Sequence, residues 1–123
     1  MKVIYLAGPY RSHYGLVGII LNIVKAWVVS KKLWGLGYVV LCPHTNSALM
    51  GGKIPESVFL SGDEILMKKC DAVVLLPGWQ RSEGTLGEIA IAIQNKIPVF
   101  LWQDQKIIPM SCTKNLSQAE VKQ

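Results

Sequence analysis

The chain is poor in charge, histidine, cysteine and arginine. Charged residues make up 17 % of its 123 positions, and it has two histidines, three cysteines and, among 13 basic residues, only Arg11 and Arg81 as arginines. The cysteines (Cys42, Cys70, Cys112) are odd in number and lack metal-ligand spacing, and no histidine pair supplies it. A structural zinc site and a disulfide framework are therefore not expected, and buried thiols in a reducing cytoplasm are. No apolar run reaches the 18 or so residues of a membrane span. The nearest, Leu16 to Val29, is broken by Asn22 and Lys25. It also lies too far from the start, with too little early positive charge, to read as a signal peptide. The net charge of +5 comes from scattered lysines, with no basic run interleaved with aromatics, so polymeric nucleic acid is not the expected partner. A Walker loop is missing, as is a Gly-x-Gly-x-x-Gly turn after the first apolar run, which leaves a dinucleotide reading weak and no cofactor expected.

Half of the residues are hydrophobic, enough for one domain with a real core. The apolar runs Val3–Ala7, Tyr38–Cys42, Ala72–Leu76 and Ile97–Trp102 read as strands. Helices are expected over residues 12 to 34, from Pro55 to about Lys69, and from Thr85 to about Asn95. Residues 43 to 54 read as a polar loop. After Trp102, a short strand or helix near Ile107 and a poorly patterned tail (103–123) follow a main domain of residues 1–102. The strands are continuous apolar runs and alternate with helices. This predicts a doubly wound, flavodoxin-like or Rossmann-like parallel sheet of four to five strands, ordered 2-1-3-4. Ligands then bind off the carboxyl ends of strands 1 and 3, at the switch point. Gly8, Pro9, Tyr10 and Arg11 meet residues 77–88 there.

The segment Pro77-Gly-Trp-Gln-Arg-Ser-Glu-Gly-Thr-Leu-Gly-Glu88 carries the densest chemistry. A glycine-containing loop that opens into a helix offers backbone N–H groups and a positive helix end to an anion. Thr85 and Glu88 fit a capping box, which makes Glu88 either a cap partner or a catalytic carboxylate. Asp71 stands just before the third strand, as a turn residue or an acid. Tyr5 is a core aromatic whose hydroxyl could reach a carboxylate at the switch point. His44 and Asn46 follow the second strand on the ligand edge, with turn roles equally open.

Taken in order, Tyr-Leu-Ala-Gly-Pro-Tyr-Arg (5–11), Asn22, Pro-His-Thr-Asn (43–46), Cys-Asp-Ala-Val-Val (70–74) and Ser-Glu-Gly-Thr-Leu-Gly-Glu (82–88) resemble the nucleoside 2-deoxyribosyltransferase superfamily. Within it, the chain looks closest to a small phage and bacterial group of unknown function. The resemblance implies Glu88 as the nucleophile, Tyr5 as its orienting group and Asp71 as proton donor to the leaving base. It points to a nucleoside 5′-monophosphate, because serine (Ser82) stands where transferring branches carry an acid. Arg81, Ser82, Gly84 and Arg11 would hold the phosphate, with Gly8, Pro9, Tyr10, His44 and Asn46 lining the rest of the pocket. It also implies a cytoplasmic homodimer or larger assembly. Rival readings are base transfer between nucleosides, a phosphoribohydrolase with a Pro-Gly-Gly-x-Gly-Thr-x-x-Glu turn, and a nucleotide sensor without turnover.

Overall fold

The computed structural model describes residues 2–46, 50 and 52–110. The expectations for residues 47–49, 51 and most of the tail lie outside this set. The elements in chain order are β1 (Val3–Ala7), α1 (Gly15–Gly35), β2 (Val39–Leu41), α2 (Pro43–Asn46), α3 (Glu56–Lys68), β3 (Ala72–Leu75), a 3₁₀ turn (Trp79–Arg81), α4 (Glu83–Gln94), β4 (Val99–Gln103) and β5 (Lys106–Pro109). The sheet order is β2-β1-β3-β4-β5. β2, β1, β3 and β4 pair in parallel, and β5 is antiparallel to β4. The 2-1-3-4 order is present, extended by one strand at the edge.

Successive side chains of a strand point to opposite faces, so a strand buried on both faces must be apolar throughout. On β1 and β3, Ile4, Leu6 and Val74 enter one core with Ala26, Val29 and Leu33 of α1. Tyr5, Ala7, Val73 and Leu75 enter the other with Met67 of α3 and Ile89 and Ala92 of α4. α1 thus covers one face of the sheet, and α3 and α4 cover the other. α1 stops where Gly37 adopts φ 97°, a left-handed conformation that suits glycine. The N–H of Tyr38 then bonds back to the Leu33 carbonyl at 3.2 Å.

One local feature differs from expectation, and of the strand or helix expected near Ile107 it is the strand that forms. Pro43 starts a single helical turn where a loop is predicted, because its fixed φ suits a first helical position. β4 and β5 are joined by Asp104 and Gln105 at φ 52° and 61°. Two consecutive left-handed residues make the tight hairpin turn that matches strand twist, usually written Asn-Gly.

At the switch point the strand ends are pressed together. The N–H of Leu76 bonds to the Ala7 carbonyl at 2.7 Å. A Cβ built on Gly8 would lie 2.6 Å from Leu76 Cβ. Gly8→Ala must push these strand ends apart, and we expect a loss of roughly 1–3 kcal/mol. Urea unfolding checks this: the midpoint falls with an unchanged slope, and an unmoved midpoint refutes the close approach.

Candidate active site

α4 begins earlier than the sequence predicts. Ser82 is its N-cap, with extended backbone, and its Oγ accepts the N–H of Thr85 at 3.3 Å and the Thr85 hydroxyl at 2.9 Å. The predicted capping box with Thr85 as cap is corrected accordingly: Thr85 is the third helical residue and is buried. Glu88 therefore falls in the second turn and caps nothing. The new register puts Thr85, Glu88, Ile89 and Ala92 at positions i, i+3, i+4 and i+7, the stripe that faces the sheet. Glu88 is a carboxylate at a core position.

Its partner there is Tyr5. The wholly buried Tyr5 hydroxyl donates a short hydrogen bond to Glu88 Oε2. Tyr5 sits in the middle of β1, between β2 and β3 and in register with Leu41 and Val73, which leaves its ring little freedom.

Asp63, on α3, completes the group, and the sequence reading did not single it out. It lies on the helical stripe of Phe59 and Met67, at i+4 from one and i−4 from the other. That spacing was the available signal: an aspartate in line with apolar residues that face the core. Burial raises the Asp63 carboxyl above the usual range. Glu88 is pushed up to about 7, first by burial and further by the charge of Asp63, against the lowering effect of the Tyr5 hydrogen bond. Tyr5 is raised above its ordinary value by burial and by Glu88. The charge of Asp63 is thus felt at both Glu88 and Tyr5, two groups already raised by burial.

Asp71 is not joined to them. It stands one residue before β3, opposite Val3, and its Oδ2 accepts the Val3 N–H at 2.7 Å. Its own N–H bonds to the Val3 carbonyl at 2.8 Å. The strand direction puts this at the amino end of β3.

The loops after β1 and β3 do converge. A Cβ built on Gly78, itself at φ 89°, would lie 3.3 Å from Pro9 Cγ and 3.6 Å from a guanidinium nitrogen of Arg81. Asn22 of α1 ties the first loop down, donating to the Tyr10 carbonyl at 3.0 Å. His44 braces it from α2, with Nε2 at 2.8 Å from the Pro9 carbonyl and its ring edge-to-face with Tyr10. A carbonyl only accepts, so Nε2 carries the proton, and Nδ1 is left buried with no partner among the described residues. Burial lowers the His44 pKa, which favours the neutral ring. Asn46 ends α2 and is exposed.

The other expected phosphate ligands are distributed unevenly. Ser82 spends both acceptor positions on Thr85 and keeps its own proton to donate. A Cβ on Gly84 or Gly87 would meet nothing within 4 Å, so this side of α4 faces open space. Arg81 is exposed beside Gly78. Arg11 turns away to an exposed ion pair with Glu56 at 2.8 Å. Of two open clefts, of about 470 and 570 Å³, the first is bounded by Trp27, Trp34 and Cys42, and the second borders the loop after β3, bounded by Pro77, Gly78, Trp79 and Gln103. Among the described residues, no three of His, Cys, Asp and Glu converge to hold a metal ion. Nor is any described helix long and apolar enough to cross a membrane.

The fold has solved counterparts. A 2-deoxyribosyltransferase from Bacillus psychrosaccharolyticus superposes with a TM-score of 0.60 at 21 % identity, over 91 % of this chain and 80 % of its own. A conserved protein from Enterococcus faecalis V583 does so with a TM-score of 0.56 at 22 % identity, over 98 % of this chain and 75 % of its own. At such identities the likeness is one of fold. No curated protein matches the chain in sequence. The family model described as a domain of unknown function (DUF4406) matches residues 2–101, so the chain belongs to that family and carries it on a 2-deoxyribosyltransferase-like fold.

Proposed function

We propose that the protein is an N-glycosidase that cleaves the base–sugar bond of a nucleoside 5′-monophosphate. The observation that carries this reading is the buried Tyr5–Glu88 pair with Asp63 close enough to raise Glu88. Retaining glycoside chemistry needs two carboxyls with different proton affinities, one ionised to attack and one protonated to assist departure. In this reading the two carboxyls hold one proton between them, which passes from Glu88 to Asp63 as substrate binds; Glu88 then attacks C1′ while the bond to the base breaks, and the base leaves with that proton from Asp63. The product is a glycosyl ester on Glu88. Asp63, now ionised, takes a proton from water as that water attacks C1′, and Glu88 leaves as a carboxylate with configuration retained. Tyr5 holds Glu88 in place. The role expected of Asp71 thus passes to Asp63, because Asp71 is engaged with the Val3 backbone at the far end of β3.

A 5′-phosphate fits the free proton of Ser82, the open first turn of α4 and the guanidinium of Arg81. Gly8, Pro9 and Tyr10 would form the opposite wall, with the bare Nδ1 of His44 as an acceptor for a donor on the substrate. Arg11 joins only after leaving Glu56. Base transfer remains the second reading, favoured by the fold shared with a 2-deoxyribosyltransferase.

The test is base release, read by chromatography, from ribo- and deoxyribonucleoside 5′-monophosphates and the matching nucleosides. Release that requires the phosphate and is lost in Ser82→Ala supports the proposal. Release only in the presence of a second base means transfer. No release, with nucleotides still raising the melting temperature, refutes turnover and leaves a binding protein.

A further inference from the structure

The cleft at the carboxyl ends of β3 and β4 has a chemistry of its own. Its volume, about 570 Å³, suits a small molecule. Neither Glu88, Asp63 and Tyr5 nor Ser82 and Arg81 line it. The floor is apolar: Leu75 and Leu101 are partners in the β3–β4 register, and both are buried. One wall is the segment after β3, with the half-buried Trp79. Two backbone bonds stiffen that wall, from the Arg81 N–H to the Gly78 carbonyl at 3.1 Å and from the Ser82 N–H to the Trp79 carbonyl at 3.2 Å. The other wall is the β4–β5 hairpin turn. Gln103 stands two residues after Leu101, on the same sheet face. Gln105 is held from α1 by the Lys32 ammonium, which donates to its Oε1. The cleft is therefore built from fixed parts.

Its lining selects the ligand. Carboxamides of Gln80 and Gln103 and the carboxylate of Asp104 stand at the rim. Among the described residues, no other group engages these three side chains. A carboxamide both donates and accepts. No lysine, arginine or histidine is among the lining residues, and Asp104 adds negative charge, so a phosphate or carboxylate is a poor fit. A sugar ring would leave hydroxyls unpaired against Leu75 and Leu101. A flat heterocycle has apolar faces and carries its N–H and C=O groups on its edge, which matches an apolar floor with an amide rim. We propose that this cleft is a second binding site, for a free nucleobase, whose face lies on Leu75 and Leu101 beside Trp79 and whose edge meets Gln80 and Gln103. That the heterocycle is a nucleobase rests on the reading above, in which one is released; the preference for an uncharged flat ring does not.

The test reads position as well as binding. Fluorotryptophan built into the full chain gives one fluorine resonance for each of the four tryptophans, assigned by single Trp→Phe variants. Adenine, hypoxanthine, cytosine and uracil are titrated in turn. At least one should shift the Trp79 resonance and saturate with a Kd in the millimolar range or below, leaving Trp27 and Trp34 unmoved. The shift should persist with ribose 5-phosphate in excess. Gln103→Leu, an exposed position, should weaken binding about three- to tenfold. No shift at Trp79 with any base overturns the inference. So does a shift that ribose 5-phosphate abolishes, which would place the base in the Glu88 pocket, or one that ribose reproduces. An unchanged Kd in Gln103→Leu overturns the edge contact. The two proposals fail separately: a shift at Trp79 without base release from any nucleotide keeps this site and removes the glycosidase, and release without a shift does the reverse.

Discussion

Glu88→Gln should lose at least about 10³-fold in turnover and at the same time make the protein more stable at pH 8. Gln keeps an acceptor for the Tyr5 hydroxyl but cannot form the ester. The stability gain follows from the raised proton affinity of Glu88. Its carboxyl rises from 4.5 to about 7 on folding, mainly through burial. Below the unfolded value both states hold the proton and nothing is lost. As pH climbs towards 7, the unfolded chain ionises while the folded one resists, so stability falls and levels off above about 7. The full difference corresponds to roughly 3 kcal/mol, or a melting temperature on the order of 10 °C higher for Glu88→Gln at pH 8. The two proteins should converge near pH 4. Melting scans at both pH values check this, and a constant offset would mean that Glu88 is not protonated on folding. The catalytic counterpart is a basic limb in kcat/KM near pH 7, because above it the pair has lost the proton that the leaving base needs. Tyr5→Phe should move that limb up, since the hydrogen bond of Tyr5 holds Glu88 down.

Asp63→Asn should reduce turnover by about 10²–10⁴-fold, the usual worth of a positioned general acid. Its residual turnover should lose the basic limb near pH 7, because Glu88 without the Asp63 charge ionises at lower pH and no shared proton is left to lose. Asp71→Ala should behave in the opposite way. It leaves the Val3 N–H without its acceptor and, the bond being exposed, costs about 0.5–1.5 kcal/mol of stability, with turnover of the folded protein changed by only a few fold. Rate constants and unfolding curves for the two variants separate the roles. If Asp71→Ala abolishes turnover and Asp63→Asn does not, the proton belongs to Asp71, and the assignment made from the tertiary structure fails.

The difference between these two aspartates shows where sequence stops being informative. Asp71 stood out because it abuts an apolar strand, and Asp63 did not because it sits inside a charged-looking helix, Ser-Gly-Asp-Glu. Which one matters depends on helix rotation. α3 packs on the sheet through Met67, which leaves Asp63, one turn earlier, half-buried, and no linear feature states that rotation as plainly as the packing does. Similarly, Thr85 and Glu88 matched a capping box that the helix does not use. Ser82 took the cap, and the start shifted by one turn. The hairpin before β5 was hidden because Asp104 and Gln105 adopt left-handed backbone without the customary Asn-Gly.

The order of strands and helices, the parallel sheet and the meeting of the loops after β1 and β3 were all legible in the chain alone. They follow from short-range rules: strands buried on both faces must be apolar throughout, proline and glycine end elements, and crossovers are right-handed. The Tyr5–Glu88 pair was expected from the resemblance, and two things came only from the tertiary structure: it set Asp63 rather than Asp71 within range of the pair's charge, and left one face of α1 apolar and uncovered. Each depends on which way a side chain points once two elements have packed together. Packing selects that angle through contacts between residues as many as 83 positions apart, and neighbouring residues in the chain do not encode it.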